Sequence, residues 1–280
     1  MNLSLPSGPF PLDHTRVMGI LNTTPDSFYD GGSYTTVERA LARARAMAEA
    51  GADIVDVGGE RAGPGEDVTV DEELRRVVPV IEAIGRELSL PISVDTRRPE
   101  VARAAITAGA QIINSIGGFD EPEMRRVAHE TGAAIIVMHI KGEPRVANPT
   151  PTYGDVMGDI RRAIEDRVEV CLRDGIAADR IIIDPGPGFG KTTAHDLAIL
   201  RDLDRLTAMP YPVLLAASRK KFIGDVLGVP AHERLPGSLA VVVWGVLHGV
   251  RIVRVHDVRA SKRVCRMCEA VLDPAWEPAG

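Results

Sequence analysis

Polar residues recur in this sequence where short apolar runs end. Asn22 follows VMGIL, Asp56 lies within IVDV, Asp95 follows ISV, and Asn114 closes QIIN. His139 follows IIVM, Asp184 follows III, and Ser218 comes just after PVLLA. The last run, IVRV, carries Arg254 and leads to His256. Strands commonly stop at a polar residue, so any one of these is ordinary. Eight runs out of eight ending in carboxylates, amides, hydroxyls or cations are not. Such a set suits a flat, nitrogen-rich ligand carrying an anionic tail. Asp184 is the sharpest case. It leaves a run of three Ile for the stiff segment PGPGFGK, and a carboxylate so placed must meet donors or a positive charge, because unpaired burial is costly.

Two cationic segments follow. AASRKKFIG brings Ser218, Arg219, Lys220 and Lys221 together at the end of the seventh run. Three cations at a helix start oppose the helix dipole, which points to an anion or an acidic partner. GFGKT, residues 188–192, fails as a nucleotide P-loop. The required glycine five positions before Gly190 is Pro185, which has no N–H for a phosphate, so Lys191 reads as a solvated loop cation. Cys265 and Cys268 form a lone CRMC with no second ligand pair, and read as helix residues rather than a zinc site.

The elements that must carry these groups alternate strictly. Between the eight apolar runs lie amphipathic stretches such as VERALARARAMAEAGA and DEELRRVVPVIEAIGREL. Several end in glycine, in AEAG, ITAG, HETG and LRDG, a left-handed cap signal. Strict alternation implies a parallel sheet, and eight units in 280 residues fit a (β/α)8 TIM barrel, α/β in class and a single domain. An open doubly wound sheet is the structural alternative, but no glycine-rich turn follows the first strand. Residues 1–16 are expected to cover the barrel floor, with residues 17–280 forming the barrel. In this fold strand C-termini build the active site, where the polar ends fall.

Composition excludes several classes. With 45% hydrophobic and 26% charged residues the chain has the make-up of a soluble globular protein, and a net charge of −6 advertises no nucleic-acid partner. The apolar run LAVVVWGVLHGV is too short to cross a membrane. The start, MNLSLPSGPFPLDHTR, lacks the basic-then-apolar pattern of an export signal, so a cytoplasmic protein with reduced thiols is expected.

VMGILNTTPDSFYDGG, VDVGGE with GPG, SVDT, IIN, DPGPGFGK, SRKKF and RVHDV lie in the order and spacing of the dihydropteroate synthase family. The chain resembles that family from about residue 17 to residue 260. The resemblance implies a pterin-binding (β/α)8 barrel, usually a homodimer. It also implies transfer from 6-hydroxymethyl-7,8-dihydropterin diphosphate to 4-aminobenzoate, giving 7,8-dihydropteroate and diphosphate in folate biosynthesis with Mg²⁺ present. By the same resemblance Asp95, Asn114, Asp184 and Lys220 form the pterin pocket, with Met138 and Phe189 as apolar walls. Asp95, Asp184 and Lys220 carry the catalytic electrostatics. Asn22 is the implied Mg²⁺ ligand, and Ser218, Arg254 and His256 the diphosphate site. The loop 23–32 with Phe28 and the loop 58–65 with Arg61 and Pro64 are the implied lids and aminobenzoate contacts.

The chain departs from the family in that second loop. A small hydroxyl residue, Thr and Arg usually precede the Pro; here Arg61, Ala62 and Gly63 stand there. Ser115 stands where the family has Asp. The AGPG loop resembles that of second-copy homologues, so a degenerate paralogue that binds pterin diphosphate without efficient synthesis is the competing reading. Methyltetrahydrofolate-dependent corrinoid methyltransferases use a related barrel but have no use for the SRK and RVHD groups. A scaffold would gain nothing from clustered carboxylates.

Overall fold

The apolar runs rich in Val and Ile become strands and the amphipathic stretches become helices. The computed structural model describes residues 1–23, 33–63, 65, 67–148 and 151–277. It opens with an antiparallel hairpin, β1 (Asn2–Leu5) and β2 (Gly8–Pro11). Then come β3 (Arg16–Asn22), α1 (Ser33–Glu49), β4 (Ile54–Gly58), α2 (Val70–Glu87), β5 (Ile92–Asp95), α3 (Pro99–Thr107), β6 (Ile112–Ser115) and α4 (Pro122–Thr131). The second half holds β7 (Ala134–Met138), α5 (Val156–Arg173), β8 (Ile181–Asp184), α6 (Thr193–Arg201), α7 (Asp204–Thr207), β9 (Leu214–Leu215), α8 (Lys221–Leu227), α9 (Leu235–Leu247), β10 (Ile252–Val255) and α10 (Val258–Leu272).

Eight strands pair in parallel in the order β8-β7-β6-β5-β4-β3-β10-β9. A parallel bridge between Ile183 and Val213 joins the two ends, so the sheet closes into the expected barrel. Local chemistry fixes the helix ends. Thr69 caps α2 by accepting from the Glu72 N–H at 3.2 Å, and Asp71, Glu72 and Glu73 occupy its first turn. The four glycines expected to stop helices, Gly51, Gly109, Gly132 and Gly175, all have positive φ. Among the described residues no helix is long and apolar enough to cross a membrane.

Two buried clusters divide the strand side chains by parity. Val55, Val57, Val94, Ile113, Val137, Ile183 and Val253 face outward and pack under the helices. Met18, Ile54, Ile112, Ala134, Ile136, Ile182, Leu214, Ala216 and Ile252 fill the interior, together with Leu3, Leu5 and Leu12 from the hairpin and the segment just after it. A strand repeats every second residue. The residue two beyond each inward aliphatic is therefore also inward and nearer the mouth. Ile54 leads to Asp56, Ile112 to Asn114, Ile136 to Met138, Ile182 to Asp184, and Ile252 to Arg254. The barrel's own alternation converts an apolar core into a polar mouth.

The segment after β8 is held by backbone contact. Gly186 has φ +61°, and a Cβ there would lie 2.0 Å from the His139 carbonyl oxygen. Gly190 has φ +61° and would meet the Lys141 carbonyl oxygen at the same 2.0 Å. Side chains at these two positions are excluded because the β7 and β8 loops pack main chain to main chain. Gly186→Ala should therefore cost about 2 kcal/mol or more in stability. Gly154→Ala, where a Cβ meets nothing within 4 Å, should leave the denaturant midpoint nearly unchanged. Equal midpoints for the two variants would contradict the packing.

Candidate active site

Register aligns the mouth residues. Asn22, Gly58, Asp95 and Asn114 are successive partners across β3, β4, β5 and β6, and Met138 pairs with Asp184 across β7 and β8. Asn22 is exposed at its strand end. A Cβ on Gly58 would lie 3.5 Å from Asp95 Cβ and 3.8 Å from Asn22 Oδ1, so the glycine sits between these two side chains at ordinary contact distance.

Arg254 stands at the centre. Its Nε donates to Asp56 Oδ2 at 2.6 Å and its Nη2 to Asp95 Oδ2 at 2.6 Å. Asn114 Nδ2 donates to the same Asp56 Oδ2 at 3.2 Å. Burial raises the Asp95 pKa to about 7; Arg254 pulls it down, but Asp56 adds to the rise. Burial opposes the charge on Arg254, yet Asp56 and Asp95 outweigh it and hold its pKa above the usual value.

Asp184 is almost fully buried. Its Oδ1 accepts from the Gly186 N–H at 2.7 Å. Burial raises its pKa, while that N–H and the charge on Lys220 work the other way. Lys220 comes from the loop after β9, the strand next to β8. Its Nζ lies 4.1 Å from the centroid of the Phe189 ring and donates to the Pro187 carbonyl. Burial lowers its pKa to about 8, against the pull of Asp184, Asp196 and Asp95. Thus Lys220 acts electrostatically on both Asp184 and Asp95, with buried Met138 paired beside Asp184 and the Phe189 ring under the Lys220 ammonium.

Ser218 and His256 meet at the rim, where Ser218 Oγ lies 3.0 Å from His256 Nδ1 and accepts from the His256 N–H at 3.2 Å. Burial, then Arg254, lowers the His256 pKa to about 4, so the ring is neutral near pH 7. Arg254 itself sits deeper than an anion-site residue at the rim. Its Nε and Nη2 are occupied by carboxylates, while Nη1 makes no hydrogen bond to any described residue.

Three readings from the sequence need correction. Arg219 does not join Lys220 in the mouth: it chelates Asp257 through two 2.8 Å bonds and donates to the Ala231 and His232 carbonyls. Lys221 is exposed and paired with Asp225 one helical turn on. Of the three clustered cations only Lys220 turns inward, because the residues follow one another around a loop and a short helix. Lys191 is not solvated either. Its Nζ lies 2.9 Å from His139 Nδ1 and donates to the Gly186 and Phe189 carbonyls at 2.8 and 3.0 Å. It ties the β8 loop shut, and burial lowers its pKa to about 7.

Ser115 falls on the outward parity of β6, paired with outward-facing Val137, so its departure from the family pattern lies away from the mouth. Phe28 and Pro64 lie outside the described residues. Arg61 is exposed, and its carbonyl accepts from Arg145. Sequence reading had no signal for Arg145. It comes from the Pro-rich loop after β7, yet its Nε stands 3.7 Å from Glu60 and 3.1 Å from Asp67. Burial opposes the charge of Glu60, but the Val68 N–H, Arg98 and Arg145 hold its pKa below the usual range. This network braces the altered second loop.

The match to the family model described as "Pterin binding enzyme" spans residues 18–256. The chain belongs to the pterin-binding enzymes. Among pterin-binding relatives, dihydropteroate synthase of Escherichia coli K12 is 44% identical over 262 residues, covering 93% of each chain. A protein of Mycobacterium leprae named "Inactive dihydropteroate synthase 2" is also 44% identical, over 94% of this chain and 92% of its own. Dihydropteroate synthase from Xanthomonas albilineans, solved in complex with 7,8-dihydropteroate, superposes with a TM-score of 0.88 at 40% identity, covering 97% of this chain and 99% of that one.

If Lys220 must be protonated to bind a pterin, kcat/KM for the pterin substrate should fall as pH rises through about 8. Lys220→Arg, charged throughout the range, should abolish that limb if it retains activity. Lys220→Ala should reduce kcat/KM by about 10²-fold or more and weaken pterin binding. An unchanged pH profile and unchanged kinetics would remove Lys220 from the site.

Proposed function

We propose that this chain is a dihydropteroate synthase, a transferase that joins 6-hydroxymethyl-7,8-dihydropterin diphosphate to 4-aminobenzoate and releases 7,8-dihydropteroate and diphosphate. The observation that carries the reading is the shared mouth. Two part-neutralised carboxylates, an amide and a half-buried lysine gather at adjoining strand ends, on a barrel similar over nearly its whole length to known synthases.

The dihydropterin presents a ring N–H and an exocyclic amine side by side. Asp184 is suited to accept both, a charge-assisted bidentate arrangement. Asn114 offers a donor and an acceptor to the mixed edge, and Lys220 donates to the ring carbonyl and nitrogen. Met138 and Phe189 supply apolar walls. Ser218, His256 and Arg254 Nη1 are the donors nearest the anionic tail.

Among the described residues no group of three or more His, Cys, Asp or Glu side chains could form a metal cage. Asn22 Oδ1 is nevertheless a hard oxygen at an open strand end, and magnesium commonly takes one or two protein ligands plus substrate phosphates. The residues fit Mg²⁺ held by Asn22 with the substrate's diphosphate. When bound, it would supply charge neutralisation for the leaving group.

The carbon–oxygen bond of the pterin diphosphate breaks with its electron pair leaving on diphosphate. Asp95 and Asp184 stabilise the positive charge left on the pterin methylene. The aminobenzoate nitrogen then forms the new bond and loses its proton to solvent. No covalent enzyme intermediate is needed. The proposal extends to a homodimer, which the family resemblance supports, and to the cytoplasm, where the free thiols of Cys171, Cys265 and Cys268 would stay reduced.

The altered second loop, and the similarity to a relative named inactive, support one rival: a degenerate paralogue that binds pterin diphosphate without efficient synthesis. Incubation with pterin diphosphate, Mg²⁺ and 4-aminobenzoate separates them. Dihydropteroate should form stoichiometrically with diphosphate, and a chelator should suppress it. Diphosphate release without dihydropteroate would establish the rival. Arg61→Ala should raise the aminobenzoate KM about three- to tenfold if Arg61 replaces the missing loop arginine; an unaltered KM removes it from that role.

A further inference from the structure

Asp56 has no part in the reading above, yet it lies at the heart of the mouth. Its side chain is fully buried on β4. Oδ2 accepts from both Arg254 Nε and Asn114 Nδ2, whereas Oδ1 has no hydrogen-bond partner among the described residues. The buried hydroxyl of Ser93, its register partner on β5, is likewise unpartnered. A buried carboxylate left half satisfied is expensive for a fold, and an apolar residue on that strand would pack at lower cost. Arg254 neutralises the charge, so what Asp56 contributes must lie in its other contact.

That contact is directional. An ionised carboxylate only accepts, whereas the Asn114 amide has a donor end and an acceptor end that occupy nearly the same shape. Asp56 therefore selects one of the two orientations: the NH2 toward itself, the carbonyl oxygen away from it.

We propose that Asp56 is a positioning residue that locks the Asn114 amide in one orientation, so that the pterin edge meets an acceptor and a donor in fixed order, without itself touching the ligand. The proposal rests on the pterin pocket inferred above.

Asp56→Leu tests it. The variant keeps the approximate size but removes the one oxygen that accepts from both Arg254, which retains Asp95, and Asn114, which can then turn over. Titration with 6-hydroxymethylpterin should show wild type binding, Asp56→Leu weakened about tenfold, and Asn114→Ala weakened by a similar factor, the size expected for one misplaced hydrogen bond. The double variant should be within about twofold of Asn114→Ala, because one effect acts through the other. A role in packing alone would instead lower the melting temperature and multiply the two losses. Full-strength pterin binding by Asp56→Leu, or a full additional factor on the Asn114→Ala background, overturns the proposal. Should Asp56→Leu not fold, a crystal structure of the wild-type protein with 6-hydroxymethylpterin decides. Asp56 should touch Asn114 and Arg254 but not the ring; a direct contact to the ring, or an Asn114 amide turned over, overturns it. Wild type that fails to bind the pterin at all refutes the pocket assignment instead.

Discussion

Three carboxylates, Asp56, Asp95 and Asp184, share the mouth of one barrel, and they can do so only because Arg254 and Lys220 stand among them. Burying like charges together is unfavourable unless each finds a partner. Arg254 answers two of them directly at 2.6 Å, and Lys220 draws on Asp184 and Asp95. The residual strain appears in the proton equilibria. Asp95 is pushed up to about 7 and Lys220 down to about 8. Such a balance is poised to be completed by a ligand that brings donors to the carboxylates and an anion to the cations.

The rest of the molecule serves that balance. Strand parity delivers the charged residues inward, one layer above an aliphatic interior. Main-chain packing at Gly186 and Gly190, with Lys191 binding the loop carbonyls, keeps the Asp184 segment rigid. The Phe189 ring and the Pro187 carbonyl, carried by the same loop, receive Lys220. Rigid donors and charges need no reorganisation when charge develops on a substrate, which is where electrostatic catalysis draws its strength.

The second loop is where this chain departs from its family pattern. Its anchor is Glu60, gripped by Arg97, Arg98 and Arg145 from two other loops. Arg145 also donates to the Arg61 carbonyl, so the same network reaches the first of the positions where this chain departs from the family pattern.

By itself the sequence determined the architecture. Eight β-rich runs, amphipathic connectors and glycine stops specify a (β/α)8 barrel because each is a local pattern of period, propensity and backbone freedom. It also placed the mouth residues, since strand ends are legible one at a time. Tertiary structure decided which of them work together. Arg219, Lys220 and Lys221 look alike in sequence, yet one binds Asp257, one enters the mouth and one faces water. Lys191 and Arg145 gave no sign of their partners, and Asp56 none of its hold on both Arg254 and Asn114. Side-chain pairing across 198 residues, as between Asp56 and Arg254, depends on barrel closure, and no local pattern along the chain encodes it.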